Sequence, residues 1–133
     1  MGSGLFSPTL FDYYDEFKYR PALFYALEVS RRPEPNIVTC NGGGYMASGA
    51  IGIDKVPKVF LPEALTLMDN EGVGEVQTPL NLNQQNVSLG DPVFFRHAKA
   101  GEVCERFKEI HILKNRKIET AAPTYRGDGQ CFF

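Results

Sequence analysis

Thirteen glycines and nine prolines divide this 133-residue chain into short stretches, and that punctuation limits what it can fold into. Glycine interrupts a helix through backbone entropy; proline removes a donor and clashes with the preceding turn. Between the breaks lie short runs rich in Val, Ile, Phe and Tyr, which suit a pleated, half-buried surface. The pattern predicts a mainly β domain with one helix in front.

From Pro8, "PTLFDYYDEFKY" places Leu10, Tyr13, Tyr14 and Phe17 at helical spacing behind Thr9, a capping residue type. This predicts a helix from Leu10 to Phe17, closed by Pro21. "ALFYALEVS" reads as a buried strand, "RRPEPN" as a loop, and "IVTC" as a second strand entering "NGGGYMASG". A short helical or turn piece is expected from Leu61 to Met68, then a strand from Gly74 to Thr78. A tight Gly-Asp-Pro turn leads into a strand at "PVFFR", and "KNRK" reads as a hairpin turn between "EIHIL" and "KIETAA".

The length suits one domain with its own core. Fourteen basic against sixteen acidic side chains leave a net charge of −2 with no run of like charge, which argues against nucleic acid or an anionic membrane surface. No apolar run is long enough for a membrane span, and no basic-then-apolar signal segment opens the chain. Cys40, Cys104 and Cys131 are odd in number and lack CxxC spacing, so a disulfide framework or closed zinc site is not expected, and a reducing, cytoplasmic setting is.

Several residues are candidates for chemistry. Asn41-Gly42-Gly43-Gly44 after a strand offers backbone N–H groups to an anion, but it lacks GxGxxG spacing and no Lys-Ser/Thr follows. A turn needing positive φ angles is the alternative. Tyr125-Arg126-Gly127 is either an anion clamp or a solvated arm. His97 and Lys99 are two apart, so on an extended chain both would face one side. Lysine is a poor metal ligand, because its ammonium has no lone pair. His97 is therefore either a strand-end histidine bonded to backbone or a group available to a metal or substrate. Cys104, beside Val103 and Phe107, reads as a buried apolar cysteine, and His111 as the polar face of a strand.

Five segments together resemble a known family: "GSGLFSPTLFDYY", "PALFYALEVSRRPEPNIVTCNGGGYMASG", "LPEALTLMDNEGVGEVQTPL", "GDPVFFRHAKAGEVCERF" and "PTYRGDGQCF". In order and over nearly the whole chain, they are similar to the C-terminal part of the D-threonine aldolase and D-serine dehydratase family, in its amino-acid deaminase/aldolase branch. Taken alone, "MGSG" suits a cloning remnant equally well; the resemblance assigns it to native sequence.

The resemblance implies an enzyme related in fold to alanine racemase, with a (β/α)8 barrel carrying pyridoxal phosphate on a lysine and a C-terminal β-domain completing the site. Residues 1–20 would be the remnant of the last barrel strand-loop and helix, and residues 21–133 the β-domain. Gly2, Ser3 and Gly4 would touch the cofactor phosphate. No lysine of this chain matches the Schiff-base motif, and eight βα units need on the order of 200 residues or more, for which this chain has no room. The chain alone is therefore expected to be inactive, with its own N-terminal barrel and a second copy, in a homodimer, as partners.

Metal-using relatives carry His-x-Cys or His-x-Asp where this sequence has His97 and Lys99. His97 matches the ligand, and Lys99 replaces the second with a positive charge that repels a divalent ion such as zinc or manganese. Glu102 or Cys104 is the alternative second ligand. Lys99 is expected instead as a general acid at the substrate's β-hydroxyl, with His97 orienting the hydroxyl or acting as base. The implied substrates are β-hydroxy D-amino acids, cleaved as by an aldolase or eliminated as by a dehydratase. A racemase or epimerase of the same fold is the second reading, and a standalone β-domain with a binding role is the third.

Overall fold

A computed structural model describes residues 2–50, 52–124 and 128. Tyr125, Arg126, Gly127 and Cys131 lie outside the described residues, and so does the last of the family-like segments beyond Thr124, apart from Asp128.

Six strands form one antiparallel sheet: β1 (Phe24–Glu34), β2 (Ile37–Asn41), β3 (Lys58–Leu61), β4 (Thr66–Leu67), β5 (Gln77–Asn81) and β6 (Pro92–Arg96), in the order β3-β6-β1-β2-β5-β4. The two edges, β3 and β4, are consecutive in the chain, and a short turn from Pro62 to Leu65 brings them together, so the sheet is a nearly closed barrel. Closure protects the edge strands, whose unpaired N–H and C=O groups would otherwise be open to another chain.

The long β1 is the hinge of this wall. Phe24–Glu28 pair with β6, and from Val29 onward β1 pairs with β2, with register shifts after Val29 and Arg31. Such bulges bend a strand and increase its twist, which lets one strand serve both halves of a barrel. Leu23, Tyr25, Leu27 and Val29 point inward, while Ala26, Glu28 and Ser30 face out. The strand expected to be wholly buried is thus a one-sided wall, and its "RRPE" end is strand rather than loop. Val38, Cys40, Leu80, Leu82, Val93 and Phe95 fill the interior beside it.

Helix α1 (Ala100–Arg106) closes the barrel after β6 by burying Ala100, Val103 and Cys104. A separate hairpin, β7 (Glu109–Lys114) and β8 (Lys117–Pro123), turns at Asn115 and Arg116 with φ of 53° and 62°. Two positive φ values in a two-residue loop are the turn that matches strand twist, and the hairpin forms as expected.

Three expectations change. Residues 9–17 hold only a 3-10 turn, Thr9–Tyr13, and the chain runs irregularly from Tyr14 to Leu23. Thr9 does not cap it: its side chain is buried and its Oγ1 makes no hydrogen bond. The aromatic residues instead gather round Phe11, with Tyr14, Phe17 and Tyr19 at ring distances of 5.8, 6.1 and 5.9 Å. Of the helical or turn piece expected from Leu61 to Met68, the turn is found at Pro62–Leu65 and no helix; Thr66 and Leu67 pair with Asn81 and Leu80. The strand placed at Gly74 begins at Gln77. No helix among the described residues is long and apolar enough to cross a membrane.

Candidate active site

His97 continues the inward parity of Val93 and Phe95 from the end of β6, and it is 0% exposed. Its Nδ1 lies 3.1 Å from the Leu23 carbonyl. A carbonyl can only accept, so Nδ1 carries the proton and Nε2 is left as a bare lone pair. Nε2 is buried without a partner. Burial pushes the His97 pKa down to about 4, opposed by the Leu23 hydrogen bond and assisted by the charge of Arg96. The ring is neutral at pH 7, a state that can accept a proton or ligate a cation.

The first turn, Gly2–Phe6, and the Thr9 segment are tied to this strand end. Thr9 N–H donates to the His97 carbonyl at 2.9 Å. Arg96 donates to the Ser7 carbonyl at 3.1 and 3.2 Å and to both carboxylate oxygens of Asp12 at 2.7 and 2.9 Å. Thr9 Oγ1 is a second buried polar atom with no partner.

Lys99 leaves the interior. Ala98 is also 0% exposed, so two neighbouring residues are buried and the alternation of an extended chain has stopped. Lys99 is half-buried, at the start of α1, and its ammonium donates to the Ser48 carbonyl at 2.8 Å. No hydrogen bond joins His97 to Lys99 among the described residues; the structure brings their backbones together but sends the side chains to different places.

Gly2, Ser3 and Gly4 form the first turn of the Gly2–Phe6 3-10 helix and line an open groove of about 600 Å³ with Leu5, Phe11, Phe17 and Tyr19. A Cβ at Gly2 would meet nothing within 4 Å. The N–H groups of a first helical turn have no partner within the helix.

The Asn41–Gly44 loop serves packing. Gly42 N–H donates to the Val76 carbonyl at 2.7 Å, and Thr78 Oγ1 donates to the Gly42 carbonyl at 2.6 Å. A Cβ at Gly44 would lie 2.8 Å from Glu75 N and from Gly74 C, so two backbones meet there. Gly43 has φ of 111°, a conformation that favours glycine.

Cys104 is buried and free on α1, its thiol pushed up by burial. Ala100, Val103, Cys104 and Phe107 recur at the spacing of a helix, a signal present in the sequence that predicts α1. Burial pushes the Cys40 thiol up to about 11. His111 is exposed on the hairpin, 2.9 Å from Glu109. Among the described residues no three of His, Cys, Asp and Glu converge as a metal site.

The fold is that of a nearly closed antiparallel β-barrel domain with its histidine at one strand end. It is similar to the crystal structure of D-threonine aldolase from Filomicrobium marinum, with a TM-score of 0.66 at 14% sequence identity. The match covers 84% of this chain and 30% of that one, so the chain spans under a third of its neighbour's length. No protein-family model matches the sequence, and no curated protein matches it significantly.

Proposed function

We propose that this chain is the C-terminal β-domain of a pyridoxal-phosphate-dependent lyase acting on β-hydroxy D-amino acids. The observation that carries the reading is the shared fold with a D-threonine aldolase, joined to a neutral histidine whose Nε2 is bare. The enzyme would be cytoplasmic and a homodimer, with a barrel domain supplied by further polypeptide.

Gly2, Ser3 and Gly4, at the edge of the open groove, would hold one face of the cofactor phosphate through their backbone. The described lysines are exposed or half-buried, which does not suit the desolvated amine of a Schiff base, so that lysine would come from the barrel. The cofactor, when bound, supplies the sink for the electron pair left at Cα. In elimination, Lys99 Nζ–H gives its proton to the β-oxygen as the Cβ–O bond breaks, and water leaves. In aldol cleavage, His97 Nε2 takes the hydroxyl proton as the Cα–Cβ bond breaks, and an aldehyde leaves. Lys99 is reachable in this conformation; a substrate hydroxyl meets Nε2 only if the packing around the ring opens. With Lys99 where relatives carry a second anionic ligand, and its ammonium turned to Ser48, that position would offer a divalent ion no partner to His97.

The test compares the complete coding region containing this chain with the 133 residues alone. The whole protein should carry pyridoxal phosphate and release either glycine and an aldehyde, or ammonia and a keto acid, from a β-hydroxy D-amino acid. The 133 residues alone should do neither. Racemisation with Cβ and its oxygen retained would move the reading to a racemase or epimerase. A whole protein without the cofactor would leave a β-domain with a binding role.

A further inference from the structure

We infer that Ser48, which accepts from the Lys99 ammonium, and Asp54, which braces the same loop through Lys55, are positioning residues that keep that ammonium at one place; the inference rests on the acid role proposed for Lys99 above. A free lysine side chain samples many rotamers, and fixing it ahead of reaction removes that entropy from the barrier. Lys99 Nζ donates to the Ser48 carbonyl at 2.8 Å and lies 3.5 Å from Ser48 Oγ.

The loop is built to keep that carbonyl in place. Ala47 N–H donates to the Lys55 carbonyl and Lys55 N–H to the Gly52 carbonyl, each at 2.9 Å. The side chains of Asp54 and Lys55 pair. A Cβ at Gly52 would lie 2.7 Å from Asp54 Oδ1, so a glycine lets the carboxylate fold under the loop. Gly49 has φ of 117°, and a Cβ there would stand 3.3 Å from Lys55 Cε. The Asp54 carboxyl is held below its usual range, first by the hydrogen bond from Lys55, so Asp54 acts on the loop through Lys55, whose carbonyl takes the Ala47 N–H beside Ser48.

The test is the rate at which an amine-reactive ester acylates each lysine of the 133-residue chain, read by peptide mass spectrometry. Lys117, exposed on the hairpin, is the internal reference. Lys99 should react more slowly than Lys117 by roughly fivefold, the protection expected of about one carbonyl hydrogen bond. Asp54→Asn and Gly49→Ala should each bring Lys99 closer to the Lys117 rate, and Asp54→Glu should restore most of the protection, with circular dichroism unchanged. Lys99 reacting as fast as Lys117 in the unaltered chain would overturn the inference, as would Asp54→Asn leaving its rate where it was. This readout needs neither cofactor nor turnover, so its failure is separate from failure of the lyase reading, which is judged on the whole protein.

Discussion

Arg96 grips Asp12 with two parallel hydrogen bonds, Nη1 to Oδ2 at 2.9 Å and Nη2 to Oδ1 at 2.7 Å, across 84 residues of sequence. The same guanidinium reaches the carbonyl of Ser7. A planar fork with five donors suits this task, and a lysine would not. The contact fixes the chain's first turns against the end of β6, one residue before His97.

Arg96→Ala should therefore cost about 2 kcal/mol of stability, since a charge-assisted pair and two carbonyls lose their donor together. Asp12→Ala should cost less, about 1 kcal/mol, because its side chain is partly solvated. Urea unfolding checks both, and limited proteolysis should cut the N-terminal segment earlier in Arg96→Ala.

The pH dependence follows from His97. Its folded pKa of about 4 lies below the ordinary value of 6.5, so the unfolded chain binds the proton more readily between them. The stabilisation is complete above pH 6.5 and is lost as pH falls toward 4, by an amount on the order of 3 kcal/mol. Urea midpoints measured across this window should fall more steeply in the unaltered chain than in His97→Gln, which has no proton to gain.

Gly44→Ala should destabilise by about 2 kcal/mol or more, because the new methyl meets backbone atoms of Gly74 and Glu75 rather than a side chain that can swing away. A thermal melt decides it. A change within a few tenths of a kcal/mol would mean that the two loops separate easily.

Lys99→Ala in the whole enzyme should lower turnover roughly 10²-fold, as expected for loss of a general acid. Its unfolding midpoint should hardly change, because Lys99 contributes one surface hydrogen bond. Unchanged turnover would remove Lys99 from the chemistry.

Metal content of the whole enzyme, purified without chelator and read by elemental mass spectrometry, tests the ligand replacement. The expected result is no stoichiometric zinc or manganese, with activity kept after chelation. About one ion per chain would send the search for a second ligand to Glu102 or Cys104.

Much of the fold was legible because it is written in near neighbours. The apolar runs "ALFYALEVS", "IVTC" and "PVFFR", and the Asn-Arg turn between "EIHIL" and "KIETAA", depend on residues within a few positions of one another; that the first run is buried on one side only came from the sheet. The helix at Ala100–Arg106 was not expected, although Ala100, Val103, Cys104 and Phe107 stand at i, i+3, i+4 and i+7. The misplacements share one cause. Thr66 and Leu67 are strand only because β5 lies beside them, and the aromatics of residues 11–19 chose to pack on one another rather than along a helix.

The sequence by itself determined a mainly β chain, its main breaks, and His97 and Lys99 as candidate residues two apart. Tertiary structure decided where those two side chains lie. Pairing of β1 with β6 set Leu23 against His97 across 74 residues, stripping water from the ring and leaving Nε2 bare. The tertiary fold also brought Ser48 to Lys99 across 51 residues, turning the ammonium away from the interior. Period and propensity act over one or two turns of chain; burial and the choice of a distant partner exist only once the sheet has closed.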